Sequence, residues 1–207
     1  ACAARRWNPR VQRDAGAGAD CVVLCDTNGG TITPSLVEAV RAAREAVDVP
    51  LGIHAHNDAN LAVANSLAAI EEGAVQVQGC VNGYGERCGN ADLLSIIANL
   101  KLKMGMDVVT DEQLARLTEV SHYVSEIVNM VPDPFQPYVG ASAFAHKAGY
   151  HADGVVKHDS SYQHVPPEAV GNRQSLLISE LGGSRGLLEK IREAGLEMGR
   201  DDARRVL

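Results

Sequence analysis

The chain has 207 residues, 45% hydrophobic and 22% charged, with a formal net charge of -7. That size and balance suit one soluble globular domain or part of a larger one. The acidic balance argues against a nucleic-acid platform, and no apolar run is long enough to span a membrane. Residues 1–13, "ACAARRWNPRVQR", are basic but lack the apolar core of a signal peptide. Five cysteines, Cys2, Cys21, Cys25, Cys80 and Cys88, form no CxxC pair. Cys21 and Cys25 share a strand-like run that spans about 13 Å, too far for a disulfide. An odd count without framework spacing reads as reduced thiols in a cytoplasmic protein.

From residue 21 to residue 104 the pattern alternates. "CVVLCD" predicts a buried strand, and "SLVEAVRAAREAV" (35–47) spaces Leu36, Val37, Val40, Ala43 and Val47 as a helix does. "PLGIHAH" predicts a second strand, and "NLAVANSLAAIEEG" a second helix closed by Gly73. "AVQVQG" predicts a third strand. The glycine-rich loop "CVNGYGERCGN" follows, then an amphipathic helix, "ADLLSIIANLKLKMG", stopped at Gly105. Strand, loop and helix repeated with short connections imply right-handed βαβ units on a parallel sheet. Beyond residue 111, "DEQLARLTEVSHYVSEIVNM" predicts one long helix ended by Pro132 and Pro134. Residues 131–183 are irregular, and "SRGLLEKIREAGLEM" predicts a last helix. A boundary is expected near residue 110 or 135, giving an α/β part over 1–130 and a smaller, mostly helical part over 131–207. Three βα units cannot close a barrel and residues 1–15 supply no convincing strand, so the pattern predicts a fragment. Such a fragment would be inactive and poorly stable alone, with the apolar inner face of "CVVLC" and "VQVQ" uncovered.

"IHAHND" (53–58) carries two histidines one residue apart. On a strand His54 and His56 point to the same face, roughly 6–7 Å apart by rise, close enough to lean onto one ion. A pair of structural histidines is the alternative. The clusters "DTNGG" (26–30), His54 with His56, and "NGYGERCGN" (82–90) each follow a strand. In parallel α/β folds sites form at the carboxyl ends of strands, so the three clusters can converge. Taken singly, Asp26 could be a helix cap and the glycines simple turn residues. "GYGERCG" is spaced GxGxxxG and does not make a dinucleotide fingerprint.

Together "LCDTNGG", "HAHND", "NGYGERCGN" and "AFAHKAGYHADGVVKH" resemble the acetyl-CoA-dependent Claisen-condensing enzymes: the isopropylmalate, homocitrate and citramalate synthases. The likeness runs from about residue 15 to about residue 183. Within the family, "LCDTNGGT" and "VQGCVNGYGERCGNADLLSIIANLKLK" most resemble the citramalate synthases, which act in isoleucine biosynthesis. The resemblance implies a (β/α)8 barrel followed by linker subdomains. This chain would then begin at about the sixth barrel strand, hold strands 6 to 8 and end in the linker region. The family's first-strand aspartate and arginine would lie in the part not represented here.

The resemblance also implies roles. His54 and His56 match the two metal-binding histidines and Asn90 the third ligand, for Mg²⁺, Mn²⁺ or Zn²⁺. Thr27 matches a threonine that receives the carboxylate of a 2-oxo acid. His151 matches the linker histidine that acts as base on acetyl-CoA, and Tyr162 its companion. Glu86 reads as a carboxylate near the metal and substrate, with a direct role as base the alternative. In the family the linker residues reach the active site of a neighbouring subunit, which implies a homodimer. The expected reaction condenses acetyl-CoA with a 2-oxo acid, pyruvate above others, and releases CoA. Alternatives are 2-isopropylmalate synthesis in leucine biosynthesis, a metal-dependent aldolase or lyase of the same superfamily, and an inactive fragment. His146 could join the same pocket, whereas His122, His158 and His164 read as bystanders.

Overall fold

In the computed structural model, which describes residues 11–147, 163–177, 188, 191, 195–199, 202–203 and 205, three parallel strands carry the first part of the chain. β1 (Val22–Asp26), β2 (Leu51–Ala55) and β3 (Gln76–Gln78) lie in the order β1-β2-β3. The register sets Cys25 against His54 and His54 against Gln78. The chain divides into two compact units, Ala1–Val108 and Val109–Leu207.

The strands alternate with helices as the periodicity predicts. α1 (Thr33–Ala46) has proline in its first turn, where a missing N–H costs nothing. α2 (Ala62–Glu71) is followed by Gly73 at φ 98, a conformation that glycine adopts without steric cost. α3 (Leu93–Leu102) is capped by Asp92, whose carboxylate accepts from the backbone N–H groups of Leu94 and Ser95. Arg41 of α1 donates twice to the Glu72 carboxylate, at 2.7 and 2.6 Å, and Arg44 to the Glu72 carbonyl at 2.7 Å. These contacts hold the end of α2 against α1.

One face of the sheet is buried under the helices. Val22, Leu24, Leu51 and Ile53 pack with Leu36, Val40, Ala43, Ala69 and Ala74, and a neighbouring cluster joins Ala55, Ala62, Ala91, Ile96 and Leu100. Each buried branched side chain contributes about 1.5–3 kcal/mol through removal from water. The other face carries Val23, Cys25, Gly52, His54, Gln76 and Gln78. Cys25, Gln76 and Gln78 on it are exposed, while Val77 turns inward to the apolar clusters. The expected apolar inner face of "VQVQ" is therefore corrected: period two in β3 puts valine on the helix side and both glutamines on the open side.

The second unit opens with α4 (Asp111–Leu114), whose N-terminus is closed by a reciprocal pair, Thr110 with Gln113. α5 (Leu117–Ile127) follows. The single long helix expected over this stretch is thus broken at Ala115 and Arg116. Arg116 has φ -100 and ψ 1, outside helical values. A turn from more than 50 residues further on meets the break. A Cβ on Gly171, at φ 70, would run into the Ala115 carbonyl, and the Thr118 hydroxyl donates to the Val170 carbonyl at 2.8 Å. The helix also ends at Ile127, with Asn129 at φ 54, before either proline is reached. β4 (Ala145–Lys147) and β5 (Ser175–Leu177) form a short parallel pair. The Asn172 amide donates to the carbonyls of Tyr138 and Gly140 at 2.9 and 3.0 Å. The last predicted helix lies mainly outside the described residues. Among them no helix is long and apolar enough to cross a membrane.

Candidate metal and substrate site

The loops that leave the carboxyl ends of β1, β2 and β3 meet. In the first loop the buried Asp26 carboxylate accepts from the Thr31 N–H at 3.2 Å and from its hydroxyl at 2.8 Å. Asp26 therefore braces its own loop; it does not cap a helix. Its carbonyl accepts the His56 N–H at 3.1 Å. Thr27 follows and is exposed. In the second loop the Asn57 side chain accepts the Ala62 N–H at 3.1 Å and starts α2. In the third loop Asn90 is buried and pairs its backbone with His56 in an isolated bridge.

His54 and His56 lie on one side, as strand spacing requires, with ring centroids 5.2 Å apart. The Asn90 amide nitrogen lies 3.1 Å from Nε2 of His54, and the Cys80 thiol lies 3.8 Å from the amide oxygen. The three proposed ligands are thus brought into one cluster. Nδ1 of His56 is buried without a hydrogen-bond partner among the described residues. An orphaned buried nitrogen costs about 1–3 kcal/mol unless something binds it, so the cluster is suited to an added group. Two imidazoles and an amide fit a divalent cation in donor type. An amide binds a cation through oxygen, so the Asn90 amide would have to turn over to serve. The set carries no carboxylate, and no group of three His, Cys, Asp or Glu residues placed to hold a metal occurs among the described residues.

The glycine-rich loop is packed around Asn90. A Cβ on Gly85 would strike the Asn90 amide oxygen, and one on Gly89, at φ 83, would strike the Gly83 carbonyl. These glycines are close-approach positions as well as turns. Glu86, in the same loop, has an 87% exposed side chain and lies 3.9 Å from Arg87; no described contact links it to the imidazoles. His151 and Tyr162 lie outside the described residues, as does His158. His164 stacks on Phe144 and meets Tyr138 edge-on, at centroid distances of 6.1 and 5.1 Å.

Sequence reasoning missed Arg87. It donates to both Asp58 carboxylate oxygens, at 2.8 and 3.0 Å, and to the Thr27 carbonyl at 2.8 Å. The guanidinium holds the Asp58 carboxyl below its ordinary value, chiefly through the hydrogen bond. The available signal was an Asp and an Arg of opposite charge on adjacent strand-end loops.

Residues 10–124 match the HMGL-like family, more than half of the chain. The chain belongs to the HMGL-like family. Residues 138–207 match the homocitrate synthase post-HMGL domain-like family. An (R)-citramalate synthase of Geobacter sulfurreducens is 52% identical over 186 residues, 90% of this chain and 35% of that protein. A probable 2-isopropylmalate synthase of Methanopyrus kandleri is 41% identical over 182 residues, 88% of this chain and 36% of that protein. The HMGL-like chain thus spans 35–36% of the length of these relatives. Among solved structures, an HMG-CoA lyase from Brucella melitensis matches with a TM-score of 0.53 at 19% identity, over 60% of this chain and 45% of that one. At that identity the likeness speaks for the fold alone.

Proposed function

We propose that this chain supplies the later part of the catalytic barrel, about strands 6 to 8 over residues 1–130, and a linker subdomain over 131–207, of an enzyme that condenses acetyl-CoA with pyruvate to give citramalate in isoleucine biosynthesis. The observation that carries the reading is the convergence of His54 and His56, at the end of β2, with Asn90 from the loop after β3, in a chain 52% identical to a citramalate synthase. The two family matches, 10–124 and 138–207, support the division into barrel and linker. The protein works in the cytoplasm as a homodimer, with linker residues reaching the neighbouring active site.

His54, His56 and Asn90 would hold a divalent cation, Mg²⁺, Mn²⁺ or Zn²⁺, with a carboxylate supplied from outside these residues. When bound, such a cation supplies a Lewis acid for the carboxylate and C2 carbonyl of a 2-oxo acid. Thr27, exposed at the end of β1, would receive the substrate carboxylate. His151 would take a proton from the acetyl methyl group, and the electron pair released forms the new carbon–carbon bond at C2. Tyr162 would orient that base, and Glu86 would act as a carboxylate beside the substrate. Hydrolysis of the thioester then releases CoA as the free thiol and makes the condensation irreversible.

The test is thiol release from acetyl-CoA by a full-length synthase carrying this chain, assayed against a panel of 2-oxo acids. We expect turnover only with a divalent metal, and faster with pyruvate than with 2-oxoisovalerate. The reverse order would turn the assignment to 2-isopropylmalate synthesis, the reaction named for the relative at 41% identity. His54→Ala and His56→Ala should weaken metal binding. His151→Ala should leave the metal bound and slow acetyl proton exchange by about 10²–10⁴. Loss of metal in His151→Ala would overturn that division of roles.

A further inference from the structure

Three loops that must hold a common geometry are tied pairwise. The first and second are joined by His56 N–H to the Asp26 carbonyl, 3.1 Å, and by Ala59 N–H to the Gly29 carbonyl, 2.9 Å. The second and third are joined by Asn57 N–H to the Gly89 carbonyl, 2.9 Å, and by the His56–Asn90 bridge. The first and third are joined through Arg87, whose Nη2 reaches the Thr27 carbonyl at 2.8 Å while the same guanidinium grips Asp58 at 2.8 and 3.0 Å. One side chain therefore closes the ring of three loops.

The fit is tight from both sides. Arg87 has φ 56, uncommon for a residue with a side chain, so its surroundings impose it. A Cβ on Gly29, at φ 66, would run into Asp58, leaving Gly29 and Asp58 in close contact. A planar guanidinium can serve two carboxylate oxygens and a carbonyl in fixed directions, which an ammonium cannot do. Arg87 spends these three bonds on protein atoms.

We infer that Arg87 is a positioning residue: through Asp58 and the Thr27 carbonyl it locks the threonine, the two imidazoles and Asn90 into one arrangement, and it does not itself bind substrate. This rests on the metal and oxo-acid reading above. Residues that orient metal ligands from behind typically contribute about 10–100-fold in metal affinity or activity.

The experiment uses Arg87→Lys, Asp58→Asn and the double variant in a full-length synthase carrying this chain. Mn²⁺ affinity is read by electron paramagnetic resonance without substrates, together with KM and kcat for each substrate. Each single variant should weaken Mn²⁺ binding by about tenfold or more, the double variant no further than either single one, and KM for acetyl-CoA should stay unchanged. The second measurement is amide exchange. The Asn57 and Ala59 N–H groups should exchange faster in both single variants, while the β1–β2 ladder stays protected. If Arg87→Lys alone raises KM for the oxo acid and Asp58→Asn is silent, Arg87 touches substrate and the inference falls. Independent, additive losses also overturn it, as do unchanged Asn57 and Ala59 exchange rates. If the parent enzyme binds no Mn²⁺, the metal reading fails instead, and the exchange rates still decide whether Arg87 locks the loops.

Discussion

The two faces of the β1-β2-β3 sheet share every backbone hydrogen bond and almost nothing else. On one, Val22, Leu24, Leu51 and Ile53 are buried beneath two helices. On the other, Cys25, Gln76 and Gln78 are exposed, and His54 is half-buried. A parallel strand covered by helices on both sides reads as a near-continuous apolar run, and β3, with glutamine at each end of a three-residue strand, does not. Within this 207-residue chain apolar burial is concentrated on the helix side, and polar residues lie on the open side and at the strand ends.

The comparison can be broken most directly at β2. Ile53 is fully buried on the helix side, and Ile53→Ala should destabilise by about 2–5 kcal/mol, read from denaturant unfolding. In the same 207-residue chain, Gln78→Ala on the open side should fall within about 0.5 kcal/mol. Equal losses would erase the distinction between the faces. At the strand ends, Gly85→Ala pushes a methyl group into the Asn90 amide. Mn²⁺ affinity should fall by about tenfold or more with little change in the unfolding midpoint, separating the site from the core; unchanged affinity would show that Asn90 is no ligand.

A smaller effect tests how open the open face is. A Cβ on Gly52 would lie 3.0 Å from Val23 Cγ2 and 2.9 Å from the Gln76 side chain. Gly52→Ala should therefore cost about 1 kcal/mol by overpacking, and a stabilised variant would mean that those neighbours move freely. The smallest effect belongs to the helix surface. Arg41 holds the Glu72 carboxyl below its ordinary value, first through the hydrogen bond. That contribution is present above the ordinary glutamate pKa and is lost as pH falls through the lowered one. Glu72→Gln should shift the melting temperature slightly and uniformly between about pH 6 and pH 8, with the difference vanishing in acid. A difference that grows toward acid would reverse the sign of the argument.

Local chemistry made much of this legible. Period two in "GIHAH" sets His54 and His56 on one side wherever a strand forms, and the apolar spacing of α1 and α2 specifies which faces they bury. Gly73 and Asp92 mark helix ends because their own conformational freedom or carboxylate does the marking. Other features had no local cause. The break between α4 and α5 carries neither glycine nor proline; it is met by Gly171 and Val170 from far along the chain. The ring closed by Arg87 joins residues 29 and 60 positions apart. A residue's periodicity reports what its neighbours in the chain require, whereas the pairing of loops depends on strand order and register, which bring together groups that carry no mark of each other.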